Sequence, residues 1–335
     1  MQRPGTGKDC GQGLRELGLP KDLRAAGKIA GRSAFGSTDG RRRRKGPAAI
    51  RLIVSRQAED DLPRRSSTVS RMNQGDVDAR IQDYYTEHFA EAERLTVRSA
   101  QGRLEFERVQ ELIACRIRPG SRVLDVGGAT GVHAAPLAEL GHDVVLIDPV
   151  PAQVQEAKRQ GTFEAQVGDA RDLQFEDDSF DVALLFGPLY HLAERQDRLL
   201  SLGEAARVVR SGGWIFAAAI PRFIGHAVLT LGDEIPHPYP AGWLSLLEHG
   251  TAPGIGRFPG AHFHTAEELE EELSQVGLTD ISVCAIEGPD GLALEQLGEA
   301  NEDLHQAALM MVRKVGHLRG IRDMTNHMMG IARVP

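Results

Sequence analysis

Two aspartates bracket a glycine-rich turn in this chain. Asp125 precedes Gly127, Gly128 and Gly131 in the run VLDVGGATG (123–131), and Asp148 lies 21 residues beyond Gly127. Glycines cluster where a backbone must turn tightly or where a ligand presses against it. An acidic residue about 20 residues further on, closing the next apolar run, is placed to take the two hydroxyls of a ribose. A dinucleotide and any other adenosine cofactor share that requirement, and two details separate them. A dinucleotide fingerprint needs glycines at relative positions 0, 2 and 5, and counted from Gly127 these hold Gly127, Ala129 and Val132. Asp125 would also repel a pyrophosphate, whereas a ligand carrying an ammonium and a sulfonium gains from it.

Further residues could do acid–base work. Tyr190 and His191 close the segment FDVALLFGPLYHL (180–192). A histidine near neutral pKa suits a general base, and either residue is a candidate to deprotonate an acceptor. His133 follows the glycine turn, where it either meets a ligand carboxylate or packs. His262 and His264 straddle one residue, and with no matched third ligand no metal site is expected. The three cysteines, Cys10, Cys115 and Cys284, form no CxxC pair, so neither structural zinc nor a disulfide framework is expected.

The elements that position these residues alternate. Short apolar runs at 123–126, 144–147, 164–167, 182–186 and 214–220 read as strands. Helical spacing covers about 131–140, 151–159 and 193–210 between them. Strands without polar alternation are buried on both faces, and strand–helix repetition builds a parallel, doubly wound sheet. Helical stripes at 76–92 and 101–117 precede it, with Tyr84, Tyr85 and Arg94 among or just beyond them. Thr265 to Glu268 is a capping box opening a helix that Gly277 closes. Strands at 281–286 and 327–333 and a helix at 301–315 complete the series. Residues 221–263 read as an irregular insert with Phe223, Tyr239, Trp243 and Phe258, either a functional cover or an excursion with its own small core.

In this order the motifs resemble the class I S-adenosylmethionine-dependent methyltransferases. VLDVGGATG is similar to the family's first motif, with Ala129 where its middle glycine stands. VVLIDP resembles the second, which would put Asp148 on the ribose and Pro149 near the adenine. VGDARDL (167–173) resembles the next, with Asp169 accepting from the adenine amino group and the Ala170 amide serving a ring nitrogen. The stretch ending in GPLYHL resembles the fourth-strand motif and places Gly187 beside the methionine part. The resemblance implies S-adenosylmethionine as cofactor. It also implies a Rossmann-like sheet of seven strands ordered 3-2-1-4-5-7-6, the last antiparallel, with N-terminal helices and an insert after strand 5. GPLYHL and the leading helices further resemble a set of bacterial small-molecule methyltransferases.

Net charge is -8 and unevenly spread. Residues 1–71 hold 17 Lys+Arg against 7 Asp+Glu, and the remaining residues hold 22 against 40. The first 71 residues, with GRRRRKG at 40–46, lack apolar periodicity and read as a disordered basic extension. An over-extended gene start with translation from Met72, a solvated tail and a nucleic-acid tether compete to explain it. Residues 72–119 read as a helical cap and 120–335 as the catalytic domain. The acidic balance of that domain opposes nucleic-acid binding. Its place after the fourth strand lacks the polar residue that would hold a base amino group. No apolar run is long enough to span a membrane, and no secretory leader is evident, so a cytoplasmic enzyme acting on a small organic acceptor is expected. A nicotinamide oxidoreductase on a related sheet and a non-catalytic cofactor-binding protein are the alternatives.

Overall fold

The computed structural model describes residues 99–227, 241–251, 261–297 and 301–335, with Gly75, Asp78, Ala79, Gln82 and Leu95. The basic extension at 1–71, and Tyr84, Tyr85, Arg94, Tyr239 and Phe258, lie outside them.

Seven strands form one sheet. They are β1 (Arg122–Val126), β2 (Asp143–Asp148), β3 (Glu164–Val167), β4 (Phe180–Leu185), β5 (Val209–Ala219), β6 (Thr279–Ala285) and β7 (Met328–Arg333). Their order is β3-β2-β1-β4-β5-β7-β6. β7 runs antiparallel to both of its neighbours, β5 and β6, and every other pair is parallel. This is the expected order and polarity.

The described helices are α1 (Ala100–Ala114), α2 (Ala134–Glu139), α3 (Pro151–Gln160), α4 (Pro188–His191), α5 (Arg195–Val208), α6 (Ala241–His249), α7 (Ala266–Gln275), α8 (Gly291–Glu295) and α9 (Glu302–Val315). Val109, Ile113, Leu137 and Val154 of α1–α3 pack on Val123, Leu146, Val182 and Phe216. Leu202 and Ala205 of α5, with Leu269 and Leu273 of α7, pack against Leu124, Ile147, Ala183 and Ile215. Successive strand residues therefore feed opposite layers, as a period of two requires. Ser99 caps α1 by accepting from the Gly102 amide, and the Thr265–Glu268 capping box opens α7 as expected.

Two local readings change. The strand expected at 214–220 begins earlier, at Val209, because the RSGG run (210–213) joins β5 as an irregularity in its pairing with β4, where the register jumps between Phe180–Val209 and Val182–Trp214. A Cβ on Gly213 would fall 2.6 Å from the Asp181 carbonyl oxygen, so only glycine fits that crowded bend. The insert at 221–263 is not wholly irregular, because it contains α6. Leu246 on that helix is buried with Ile220, Ile224, Ala261 and Phe263, and Trp243 and Tyr190 pack against the group. The described part of the insert thus shares a small core with Ile220 after β5 and Tyr190 of α4.

Candidate active site

The carboxyl edge of the sheet opens into a cavity, and the glycine turn after β1 forms its floor. The amides of Gly127 and Gly128 both donate to the Ile147 carbonyl, at 2.8 and 3.2 Å, which folds the turn onto the end of β2. Gly127 is left-handed (φ 74°), and a Cβ on Gly128 would lie 2.6 Å from Asp125 Oδ2 and 2.7 Å from Leu146 Cδ1. Ala129 adopts φ 49°, and its amide donates to Asp148 Oδ2 at 2.9 Å. A Cβ in that conformation costs about 1–2 kcal/mol. Part of this is offset because alanine orders less backbone on folding than glycine. Ala129→Gly is therefore expected to raise unfolding stability by about 0.5–1 kcal/mol, read from the midpoint of urea denaturation.

Gly127, Gly128 and Ala129 line the cavity, as do Asp125, Asp148, Pro149, Asp169, Ala170, Gly187, Tyr190 and His191. Gly131 does not. A Cβ there would lie 2.2 Å from the Phe163 ring, so close packing and φ 90° are enough to require this glycine.

Asp125 is 1% exposed, and neither of its carboxylate oxygens has a hydrogen-bond partner. Burial, and then the charge of Asp148, raise its pKa to about 7. Asp148 is buried as well, and its two oxygens accept from the Val150 and Ala129 amides at 2.8 and 2.9 Å. Burial raises it to about 6 against the pull of those amides. Asp169 is held by Arg171 through three side-chain contacts of 2.6–3.1 Å. Partial burial pushes it up, but the Arg171 bonds outweigh this and hold it below the usual carboxylate range. Arg171 also reaches Asp78 at 2.9 Å, and Gln82 reaches the Pro149 carbonyl at 3.4 Å, so Asp78 and Gln82 meet the cavity here.

At the end of β4, the Tyr190 hydroxyl donates to the Phe186 carbonyl at 2.5 Å, which commits the proton a base would have to lose. The His191 ring packs on Tyr190 at 4.8 Å. His133 is packed, stacked on Phe106 and edge-on to Phe186, with Gln110 3.1 Å from Nδ1. His262 and His264 belong to a buried ionic cluster away from the glycine turn. His264 Nε2 lies 3.2 Å from Glu272, and Arg198 holds the same carboxylate at 2.7 Å. His262 lies 3.7 Å from Glu268, which Arg222 also binds. Burial lowers the His262 pKa to about 4.

Sequence reasoning missed the far wall of the cavity. Glu105, Ile286, His327 and Met329 line it from α1, the β6 end and β7. The cue lay in strand polarity, since an antiparallel β7 must begin at the edge where β1 and β4 end.

A family model described as "Methyltransferase domain" matches residues 124–217. A 109-residue match to a demethylmenaquinone methyltransferase of Beutenbergia cavernae is 42% identical, covering 32% of this chain and 44% of that protein. A ubiquinone biosynthesis O-methyltransferase of Methylocella silvestris is 32% identical over 37% of this chain and 48% of its own. The chain thus spans less than half the length of these two relatives. A demethylmenaquinone methyltransferase of a Mycobacterium species (strain KMS) is matched more broadly, at 32% identity over 53% of this chain and 72% of its own length. The chain belongs to the S-adenosylmethionine-dependent methyltransferases. This sets aside the nicotinamide alternative.

The residues present fit the methyltransferase cofactor. Asp125 is an orphaned buried carboxylate facing a cavity, and a cationic ligand there would supply its missing partner. A cation favours the ionised carboxylate, so binding of S-adenosylmethionine at pH 6 should release close to one proton, and at pH 8.5 almost none. Affinity should rise up to about tenfold per pH unit until about pH 7 and then level. Calorimetry at pH 6 in two buffers of different ionisation heat reads the proton directly, and Asp125→Asn should abolish most of it. The ordinary value of this carboxyl is 3.8, well below its folded value. Its contribution to stability is therefore full below about pH 4 and lost as pH rises through about 7. Asp125→Asn should accordingly gain stability on the wild type from pH 5 to pH 8 when no ligand is bound.

Proposed function

We propose that this methyltransferase moves a methyl group onto an uncharged, largely apolar small molecule by in-line displacement, with a phenol or quinol as the best-supported acceptor. The observation that carries this is the character of the cavity wall. Asp78, Glu105, Asp125, Asp148 and Asp169 line it, and among the described lining residues the one arginine, Arg171, is already held by Asp169 and Asp78. A carboxylate or phosphate on the acceptor would meet like charge, with no spare arginine or lysine among the described lining residues. Val109, Phe186, Ala218, Ile286 and Met329 supply an apolar body to match. The relatives named for demethylmenaquinone and for ubiquinone biosynthesis support the same class, since both quinones are apolar rings.

When bound, S-adenosylmethionine supplies a methyl carbon activated by its sulfonium. The chain's own task is then orientation and exclusion of water. Asp148 would bind the ribose and Pro149 flank the adenine. Asp169 and the Ala170 amide would meet the adenine edge, and Gly187 would leave room for the methionine part. Asp125 would face the cationic end, and Gly127, Gly128 and Ala129 would give the ligand close access to the backbone. Tyr190 and His191 would wall the acceptor beside β4.

The test supplies methyl-deuterated cofactor and a metabolite extract of the source cells to the full chain. Mass spectrometry then follows any molecule that gains the label. A labelled phenol or quinol absent from an Asp148→Ala control is the expected product. A labelled acid or phosphate ester would overturn the proposed acceptor class.

A further inference from the structure

The far wall of the cavity holds a constellation that cofactor binding does not use. At about 4.8 Å per strand, β7 stands roughly 19 Å across the sheet from β2, beyond the span assigned to the adenosine. β7 runs antiparallel, so Met328 pairs with Ala219 and the preceding His327 stands at the edge where β5 ends. β6 ends at the same edge, with Ala285 paired to Met328, and delivers Glu287 two residues later.

Glu287 is fully buried and all its contacts fix the histidine or its own position. Its Oε1 lies 2.7 Å from His327 Nδ1 and accepts from the Gln101 amide at 2.7 Å. Its Oε2 accepts from the His327 backbone amide at 2.8 Å and from the Thr325 hydroxyl at 2.9 Å. Glu105 Oε2 lies 3.4 Å from the same Nδ1 and accepts from Gln101 at 3.0 Å. A ring nitrogen between two buried carboxylates holds the proton, which assigns base work to Nε2. The ring itself lines the cavity.

We infer that His327 is the base that takes the proton of a hydroxyl group on the acceptor, with Glu287 as the positioning residue that keeps the ring proton on Nδ1. This rests on the small-molecule acceptor reading above and deepens it, because it makes the nucleophile a phenol- or quinol-type oxygen. The acceptor's O–H proton passes to Nε2, and an oxygen electron pair forms the bond to the methyl carbon. The carbon–sulfur bond breaks and its pair stays on sulfur. The imidazolium then carries the positive charge that the sulfonium loses, and it sheds the proton to solvent. Glu105, Glu287 and His327 are also close enough together to surround a metal ion. The Gln101 amide donates to the oxygen of each carboxylate that faces Nδ1, and the nitrogen-15 measurement below separates a ring proton there from a metal.

The test uses 4-nitrophenol, whose absorbance distinguishes phenol from phenolate. Binding of S-adenosylhomocysteine to the full chain is first established by calorimetry, and failure there would sink the cofactor reading rather than this one. The loaded protein is then titrated with the probe between pH 5 and 8. Bound probe is expected to ionise about one pH unit or more below its value in free solution. His327→Gln and His327→Asn should remove that shift and leave S-adenosylhomocysteine affinity within about twofold. An unbound probe, an unshifted one, or the same shift in either variant would overturn the inference. A measurement without substitution stands beside it. In wild-type protein labelled with nitrogen-15 at histidine, the neutral His327 ring must carry its proton on Nδ1. A proton on Nε2, or a metal on Nδ1 in the isolated protein, would overturn it equally.

Discussion

Arg198→Ala should cost about 3–5 kcal/mol of unfolding stability, the range for stripping one partner from a buried ion pair. Both side chains of the Arg198–Glu272 pair are only 3% exposed. The guanidinium grips Glu272 through Nε and Nη2 at 2.7–3.1 Å, and its Nη1 donates to the Leu192 and Ala193 carbonyls at 3.1 and 2.9 Å. Removing it leaves the buried Glu272 with His264 as its remaining close partner and takes the donor from two carbonyls at once. Those carbonyls follow α4, so the segment carrying Tyr190 and His191 loses its tie to α7. Burial pushes Glu272 up, but its His264 and Arg198 contacts outweigh this and hold it at about 2. A depressed folded value means stability that is present above the ordinary 4.5 and lost as pH falls toward 2. The gap between wild type and variant should therefore narrow between pH 5 and pH 3. Guanidinium denaturation at several pH values checks both parts. A variant within 1 kcal/mol of wild type at pH 7 would mean that the cluster is hydrated.

The second large effect is on the cofactor. Asp148→Ala is expected to weaken S-adenosylhomocysteine by about 1.5–3 kcal/mol, the worth of hydrogen bonds to a charged group. That is about 10- to 150-fold in dissociation constant. Each Asp148 oxygen already accepts one amide bond, from Val150 or Ala129, and a carboxylate oxygen has room for a second donor. The ribose hydroxyls can thus be added without dismantling the turn. The same amide bonds give the substitution a second consequence, because Ala129 loses the contact that offsets its left-handed backbone. Calorimetry on variants with unchanged circular dichroism separates the two. Unchanged affinity would place the adenosine somewhere other than the ends of β1 to β3.

Much of this is legible in the sequence. Apolar runs without alternation marked the central strands, and the resemblance supplied the order of all seven. The spacing from Gly127 to Asp148 found two residues that share one turn, since the strand–helix–strand unit has nearly fixed length. Local signals misled where packing decides. Gly131 looks like its neighbours in sequence, yet it is glycine because of Phe163, a contact across 32 positions that no local pattern encodes. The RSGG run lies between the expected helix and the expected strand, yet it bulges a strand. Tyr190 and His191 drew attention because they follow a recognised motif. His327 and Glu287 follow none, and only the pairing of β6 with β7 brings them together.

The position of β7 also bears on the order in which the molecule is made. It follows β6 in the chain but lies between β5 and β6. A nascent chain can lay down β1 to β5 in parallel contact as each emerges. β6 has no neighbour until the later segment threads in beside it. Pairings of this kind are slow to close, and the waiting strands expose edges open to wrong partners. The wall under the glycine turn can therefore exist on the ribosome well before the wall bearing His327. A ligand that grips the early wall would act as a folding aid, giving the half-built sheet a reason to persist until its last strand arrives.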